Sequence, residues 1–80
     1  MGEMIDLTGI ASEEQLYQTV QSAAYNLDAL YDALTERADV TVRVSRTVLE
    51  TALGARAQVV MRLLEDAQQE NSGLVLQYTE

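Results

Sequence analysis

The sequence predicts an α/β domain with two layers, in which a three-stranded parallel sheet packs against helices. Three short apolar stretches, one near each end of the chain and one in the middle, have the composition of strands. The segments between them carry apolar residues at the three- and four-residue spacing of helices. Strands that alternate with helices in this way imply parallel pairing with right-handed crossovers.

The length and composition indicate a single domain, residues 1–80. A chain of 80 residues can bury only a thin core, and without cysteine no disulfide supplements that core. The first residues include two acids, Glu3 and Asp6, where a signal peptide would have a basic region followed by an apolar run. No apolar stretch approaches the roughly 18 residues of a membrane span. We therefore expect a cytoplasmic protein.

The net charge restricts the partners that the chain can have. Thirteen acidic residues oppose five basic ones, all of them arginine, and the net charge is −8. Such a chain repels nucleic acid and anionic membranes, which are bound through Lys and Arg. It attracts cationic protein surfaces and speeds the encounter with them. Solubility is the simplest explanation of the acidity taken alone, so the charge favours a basic protein partner without requiring one.

Three segments are expected to form the strands. Met4–Leu7 is short and apolar and precedes a Thr-Gly turn, and Leu74–Tyr78 follows an Asn-Ser-Gly stop signal. Val40–Ser45 alternates apolar and polar residues with a period of two. This alternation predicts a sheet that helices cover on one face only.

Three helices have recognisable boundaries. Ser12–Gln15 has the pattern of a capping box, which predicts a helix from Glu13. Thr47–Leu53 is expected as a short helix closed by Gly54 in the left-handed conformation. Arg56–Glu70 is expected as a longer helix, and its buried stripe is predicted to comprise Val59, Val60, Leu63, Leu64 and Ala67.

The end of the first helix is open from the pattern alone. Apolar residues from Leu16 to Leu34 keep a spacing of three and four, which fits one unbroken helix as far as Arg37. Asn26, however, stands where the N-cap of a second helix would be, with Asp28 in the following first turn. Both interpretations agree with the sequence.

The residue types argue against catalysis. The chain has neither histidine nor cysteine, and no glycine-rich phosphate loop or zinc-ligand spacing is present. We expect no enzyme activity, no cofactor and no small-molecule substrate. Asp28 and Asp32 are four positions apart and share one helix face, with Glu36 a further turn along. They are interpreted as a solvated face, a binding surface or a divalent-cation site, and the cation is disfavoured because such sites draw oxygens from several segments.

The surroundings of the acid pair favour a binding surface. No lysine or arginine lies on the same face of this helix to offset Asp28 and Asp32. Tyr25 and Tyr31, half of the aromatic residues of the chain, lie close to them. Aromatic anchors beside unpaired acids are typical of a surface that binds a cationic protein.

The stretch Asn26–Thr35 resembles the signature helix of the barstar family, intracellular inhibitors of a secreted bacterial ribonuclease. The family segment reads Asn-Leu-Asp-Ala-Leu-Trp-Asp-Ala-Leu and differs here only at its aromatic residue, Tyr31. Looser, mostly apolar similarity extends over Leu16–Val20, Val59–Ala67 and Leu74–Leu76. The family fold is a three-stranded parallel sheet covered by helices, and the resemblance implies a helix break before Asn26.

The resemblance implies inhibition by substrate mimicry, with a carboxylate in the place of an RNA phosphate. By motif position Asp32 takes that place, Asp28 and Asp66 are supporting charges, and Tyr31 forms an aromatic wall. The family's rim contacts correspond to Asn26, Leu27, Ala29 and Thr35. Tyr25 and Glu36 complete the expected partner-binding residues, because Tyr25 adjoins the motif and Glu36 extends the acidic stripe.

Two departures from the family pattern concern the partner. The loop at Ala23–Tyr25 is shorter than the family's and lacks its glycine, and Glu36–Arg37 replaces a small residue and a tryptophan. We expect the charge of Arg37 to oppose a cationic partner.

Three interpretations therefore remain. The first is an antitoxin-type inhibitor of a basic ribonuclease, and the second is a regulatory adaptor of the same fold that binds another cationic protein. The third is an all-α hairpin of residues 13–37 and 56–70 that serves oligomerisation.

Overall fold

The computed structural model describes residues 2–79 and confirms the α/β class. Three strands and four helices follow one another along the described chain. In order, they are β1 (Glu3–Asp6), α1 (Glu13–Val20), α2 (Leu27–Thr35), β2 (Val40–Val44), α3 (Arg46–Leu53), α4 (Arg56–Glu70) and β3 (Leu74–Tyr78).

The three strands form one parallel sheet in the order β1-β2-β3. Ile5, Val42 and Leu76 occupy one row across it. In β2 the valines are fully buried, whereas Thr41 and Arg43 between them are partly exposed. Helices therefore cover one face of the sheet, as the alternation of Val40–Ser45 predicted.

The core between sheet and helices is almost wholly aliphatic. Seven leucines and five valines are fully buried. Ser45 is the buried polar residue among those described, and its Oγ accepts a hydrogen bond from the Val48 amide at 3.2 Å. Because this bond caps α3, the buried hydroxyl has a partner and α3 begins one position earlier than predicted, at Arg46.

The chain breaks between α1 and α2. Gln21 closes α1 in the left-handed conformation, with φ 63°, and its N–H bonds to the Gln18 carbonyl. Asn26 then caps α2, because its Oδ1 accepts from the Ala29 amide at 2.8 Å. The predicted break before Asn26 is confirmed. The single helix to Arg37 is wrong, and so is the all-α hairpin, since β2 lies in the centre of a sheet.

Local details correct three other predictions. In the capping box the Ser12 hydroxyl accepts from the Gln15 amide at 3.3 Å, but the Gln15 side chain accepts from Ala11 instead of Ser12. Gly54 has a positive φ of 60°, but its ψ of −130° lies outside the left-handed helical region. In α4 the buried stripe includes Ala57, Val60, Leu64 and Ala67, whereas Val59 is exposed and Leu63 is half-buried. The five predicted residues spread over a wider arc of the helix than the face that packs on the core. Val59 and Leu63 therefore lie at the side of the buried stripe.

Candidate partner-binding surface

Packing of α2 on the core directs its acids outward. Leu30 and Leu34 are the fully buried residues of α2. Helical spacing places Asp28 and Asp32 on the opposite side of the helix, one turn apart, and both are exposed. Asp28 also lies in the first turn, where the helix dipole favours a negative charge. The two carboxylates predicted to share a face therefore do so, on the outer surface of α2.

A groove runs between α2 and α4, which pack directly against each other. It brings Asp66 of α4 to the same surface as Asp28 and Tyr31 of α2. We call it the α2–α4 groove, and its lining consists of Leu27, Asp28, Tyr31, Val59, Arg62, Leu63 and Asp66. Four of the predicted partner-binding residues thus meet in one depression, although Asp66 lies far from the others in the sequence.

Asp32 lies on the other flank of α2. There it lines a second depression with Ala29, Glu36 and Arg37, beside the loop after α1. The outer ridge of α2 therefore separates two shallow depressions, with Asp28 beside one and Asp32 beside the other. A partner that contacts both acids must cover this ridge.

Negative charge from both helices acts on the phenol of Tyr31. Partial burial raises the pKa of Tyr31 above its ordinary value, and the carboxylates of Glu70, Asp66 and Asp32 raise it further. Glu70 was not among the predicted site residues. Its position four residues after Asp66 in α4 was the available signal, because that spacing puts both acids on one helix face.

Two of the predicted rim residues form hydrogen bonds with the backbone of α2. The Asn26 side chain caps the helix, and the Thr35 hydroxyl donates to backbone carbonyls of Tyr31 and Asp32 at 3.0 and 3.3 Å. Leu27 packs against the core and is half-buried, as is Ala29. These residues shape and support the surface, and whether they also touch a partner stays a prediction.

Tyr25 presents an aromatic face beside the N-terminus of α2. Its ring stacks on Tyr17 with centroids 5.7 Å apart and planes inclined by 24°. Tyr17 is buried and its hydroxyl donates to Glu13, whereas Tyr25 remains 56% exposed. The stacking holds Tyr25 in place while one side of its ring stays open.

Arg37 lines the depression beside Asp32, but most of its side chain turns into the fold. Whether its charge opposes a partner stays a prediction. The Arg37 Nε donates to the Ala33 carbonyl at 3.1 Å, and its two Nη atoms contact the Glu3 carboxylate and the Val20 carbonyl. The side chain is only 18% exposed. Arg37 therefore connects α1, α2 and β1, and its charge is largely satisfied inside the molecule.

A different arginine lies at the surface. Arg62 of α4 lines the α2–α4 groove together with Asp28 and Asp66. Within residues 2–79 Arg62 has no ion pair, whereas Arg37, Arg43 and Arg56 each pair with an acid. Asp28 therefore has a neighbouring cation, and this cation comes from α4 and not from α2.

Residues 2–79 contain no group of three or more acidic side chains positioned to hold a metal ion. Every helix in that part of the chain is too short or too polar to cross a membrane.

Comparison with protein-family models, curated proteins and solved structures found no match for the chain.

Proposed function

We propose that this protein inhibits a basic ribonuclease by covering its active site with the acidic surface of α2 and α4. The observation that carries the proposal is the group of exposed carboxylates around the half-buried ring of Tyr31. Asp66 and Glu70 of α4 and Asp32 of α2 act on this ring, and Asp28 lines the α2–α4 groove beside it. The resemblance of Asn26–Thr35 to the barstar family supports the same partner.

In the proposed complex Asp32 occupies the position of an RNA phosphate. A carboxylate offers two anionic oxygens to the Arg and Lys side chains that bind phosphate, and bidentate pairs of this kind are strong and directional. Tyr31 supplies an aromatic contact that excludes water from the charged centre. The net charge of −8 accelerates the encounter with a cationic enzyme.

The rigidity of α2 favours tight binding. Leu30 and Leu34 anchor the helix in the core, and Asn26 caps its start. Little conformational freedom is then lost when a partner binds, so more of the contact energy appears as affinity. The backbone positions that carry Asp28 and Asp32 are therefore held in place before a partner binds.

A second candidate partner is a cationic protein that is not a nuclease. Arg62 favours it, because a partner that fills the α2–α4 groove must accept a positive charge there. A cleft lined only by cations would leave this guanidinium facing like charge, which weakens binding. A partner whose basic surface includes one acidic side chain opposite Arg62 avoids that cost.

The test is a titration against a panel of basic ribonucleases and basic non-nuclease proteins, with Asp32→Asn as the variant. If Asp32 is a hot spot, its loss weakens inhibition by about 30-fold or more in Kd. Glu14→Gln is the matched control, because it removes the same charge from the exposed surface of α1 and lines neither depression beside α2. It should leave Kd nearly unchanged.

The outcomes separate the two candidates. Inhibition that Asp32→Asn abolishes supports the ribonuclease. Binding of a non-nuclease protein, again dependent on Asp32, supports the second candidate instead. Equal affinity of the parent and Asp32→Asn for every partner contradicts both.

A further inference from the structure

The outer edge of β3 is open for hydrogen bonding. β3 is an edge strand, and within residues 2–79 no strand lies beyond it. The Val40 amide donates to Gly73 and the Thr79 amide donates to Val44, each at 2.9 Å. In a parallel ladder the bonded residues alternate, so the intervening residues of β3 direct their backbone groups away from β2.

Those outward groups belong to the residues at alternate positions of β3. Leu76 and Tyr78 direct both N–H and C=O to the open side, and Leu74 directs its C=O there while its amide donates to Asn71 at 3.0 Å. The strand is extended over Leu74–Tyr78 and contains no proline. An extended edge with free donors and acceptors is a template for another strand.

The β3 edge also lacks the charges that protect edge strands. The segment 71–79 contains no charged residue, although the whole chain is 22% charged. Val75 and Tyr78 are 49% and 41% exposed on this strand. Proteins usually block such edges with Lys, Pro or a bulge, and none of these is present in β3.

The other edge of the sheet is different. β1 has only four residues and carries the charges of Glu3 and Asp6. Asp6 accepts hydrogen bonds from Thr8 and lies 3.8 Å from Arg43, so its charge is held at the strand. Charge at β1 opposes the addition of a further strand. One edge of the sheet is therefore open and the other is protected.

We propose that two copies of this chain associate through antiparallel pairing of their β3 strands. A two-fold axis through Leu76 places Leu76 opposite its own counterpart, where the two residues exchange N–H and C=O. Tyr78 then lies opposite Leu74 of the other copy, and its N–H meets the free Leu74 carbonyl. The N–H and C=O groups of β3 that do not bond to β2 then pair with the same groups of the antiparallel β3 in the other copy. The two three-stranded sheets become one six-stranded sheet.

Self-pairing in this register brings no like charges together. On the open face of the sheet, Val75 lies opposite Gln77 of the other copy, in a pair without backbone hydrogen bonds. Side chains approach most closely in such pairs. On the helix side, Leu76 and Tyr78 lose exposed apolar surface to their counterparts.

The geometry limits both the size and the strength of the assembly. Because β1 is protected, pairing through β3 closes at two copies and does not extend into a fibre. A single strand pair buries less than the roughly 1,200 Å² of a standard interface, so the dimer is weak and reversible. Two copies of charge −8 repel each other, and salt should therefore strengthen the association.

The first test measures the parent chain alone. Sedimentation equilibrium and amide hydrogen exchange are followed up to roughly 1 mM protein, a range that detects weak complexes. The expected result is a monomer–dimer equilibrium, with exchange at Leu76 and Tyr78 slowing as concentration rises. A monomer at every concentration, or slowed exchange at β1 instead, overturns the proposal.

The second test exchanges charges between opposed positions. Val75→Lys with Gln77→Lys places lysine opposite lysine twice and should weaken the dimer at least 10-fold. Val75→Lys with Gln77→Glu places lysine opposite glutamate and should restore it. A general effect of net charge predicts the reverse order, because the double-lysine chain is the less acidic of the two. Equal association of both double variants contradicts this register.

Two controls keep the charge exchange interpretable. Met4→Lys adds a lysine to the open sheet face at β1, away from the pairing edge, and should not weaken dimerisation. Urea unfolding of each variant at low concentration shows whether the monomer is folded, which matters because residue 77 lies beside Arg43 in the sheet. None of these substitutions touches Asp32, so the dimer and the proposed inhibition succeed or fail independently.

Discussion

The turn between α4 and β3 depends on individual atoms. The side-chain Nδ2 of Asn71 donates to the Leu34 and Arg37 carbonyls at 3.0 and 2.6 Å, and its Oδ1 accepts from the Gly73 backbone amide at 3.0 Å. These bonds join the end of α2 to the start of β3. A Cβ at Gly73 would lie 2.0 Å from the Ala38 carbonyl oxygen, so only glycine fits this approach.

Gly73→Ala should therefore destabilise the fold. The obstructing atom belongs to the backbone and cannot rotate away, so the turn has to shift at a cost of about 2 kcal/mol or more in the free energy of unfolding. Urea unfolding followed by circular dichroism measures the change. Gly9→Ala is the matched control, because a Cβ there has no neighbour within 4 Å, and its effect should stay within about 0.5 kcal/mol. Equal loss in both variants contradicts the close approach at Gly73.

At the scale of elements, α2 is positioned by contacts outside itself. Arg37 joins its last turn to the end of α1 and to the first strand. The bond to Val20 also satisfies a carbonyl that the end of α1 leaves without a helical partner. The side chain expected to act on a partner therefore orients the helix that carries Asp28 and Asp32.

Arg37→Met tests this function. The variant keeps an apolar stem but removes the charge-assisted bonds to two carbonyls, and we expect a loss of about 2 kcal/mol in the free energy of unfolding. Arg62→Met removes the same charge from the surface of α4 and should change stability by less than about 0.5 kcal/mol. Thermal unfolding of both variants at one pH makes the comparison. If Arg62→Met is the more destabilising of the two, the assignment of Arg37 is wrong.

At the scale of the whole molecule, Glu13 and Arg56 connect helices from the two halves of the chain. Arg56 donates to both carboxylate oxygens of Glu13 at 2.9 Å, from Nε and from Nη2. The hydrogen bond from Arg56 lowers the pKa of Glu13 below its ordinary value of about 4.5, and the bond from Tyr17 lowers it further. The folded state therefore favours the ionised carboxylate.

This lowered pKa predicts a dependence of stability on pH. The contribution of Glu13 is fully present above its ordinary pKa of about 4.5 and is lost as pH falls through its lower folded pKa. Unfolding free energies from pH 7 to pH 2.5 for the parent and Glu13→Gln should differ at neutral pH and converge in acid. Subtracting the two curves removes the effects of the other acids, including Asp6, whose pKa is also lowered, mainly by hydrogen bonds from Thr8. Curves that stay parallel throughout contradict the coupling.

Much of the fold could be predicted because the signals are local. The caps at Ser12 and Asn26 act over three residues, and the alternation of Val40–Val44 directly gives the covered and open faces of the sheet. The break before Asn26 was harder, because apolar spacing continues across it. Capping by Asn26 and the left-handed turn at Gln21 oppose that spacing, and packing on the sheet favours two short helices.

The sequence by itself determined the order of strands and helices and the shared outer face of Asp28 and Asp32. Both follow from spacing within one or two helical turns. Only the tertiary structure decided which other charges join them. Asp66, Glu70 and Arg62 reach this surface because α4 packs against α2. Arg37 lies beside Asp32, but its charge is paired within the fold because Glu3 and Val20, 34 and 17 positions away, are its partners. Contacts over such distances arise from the packing of whole elements on the core, which no local pattern of residues records.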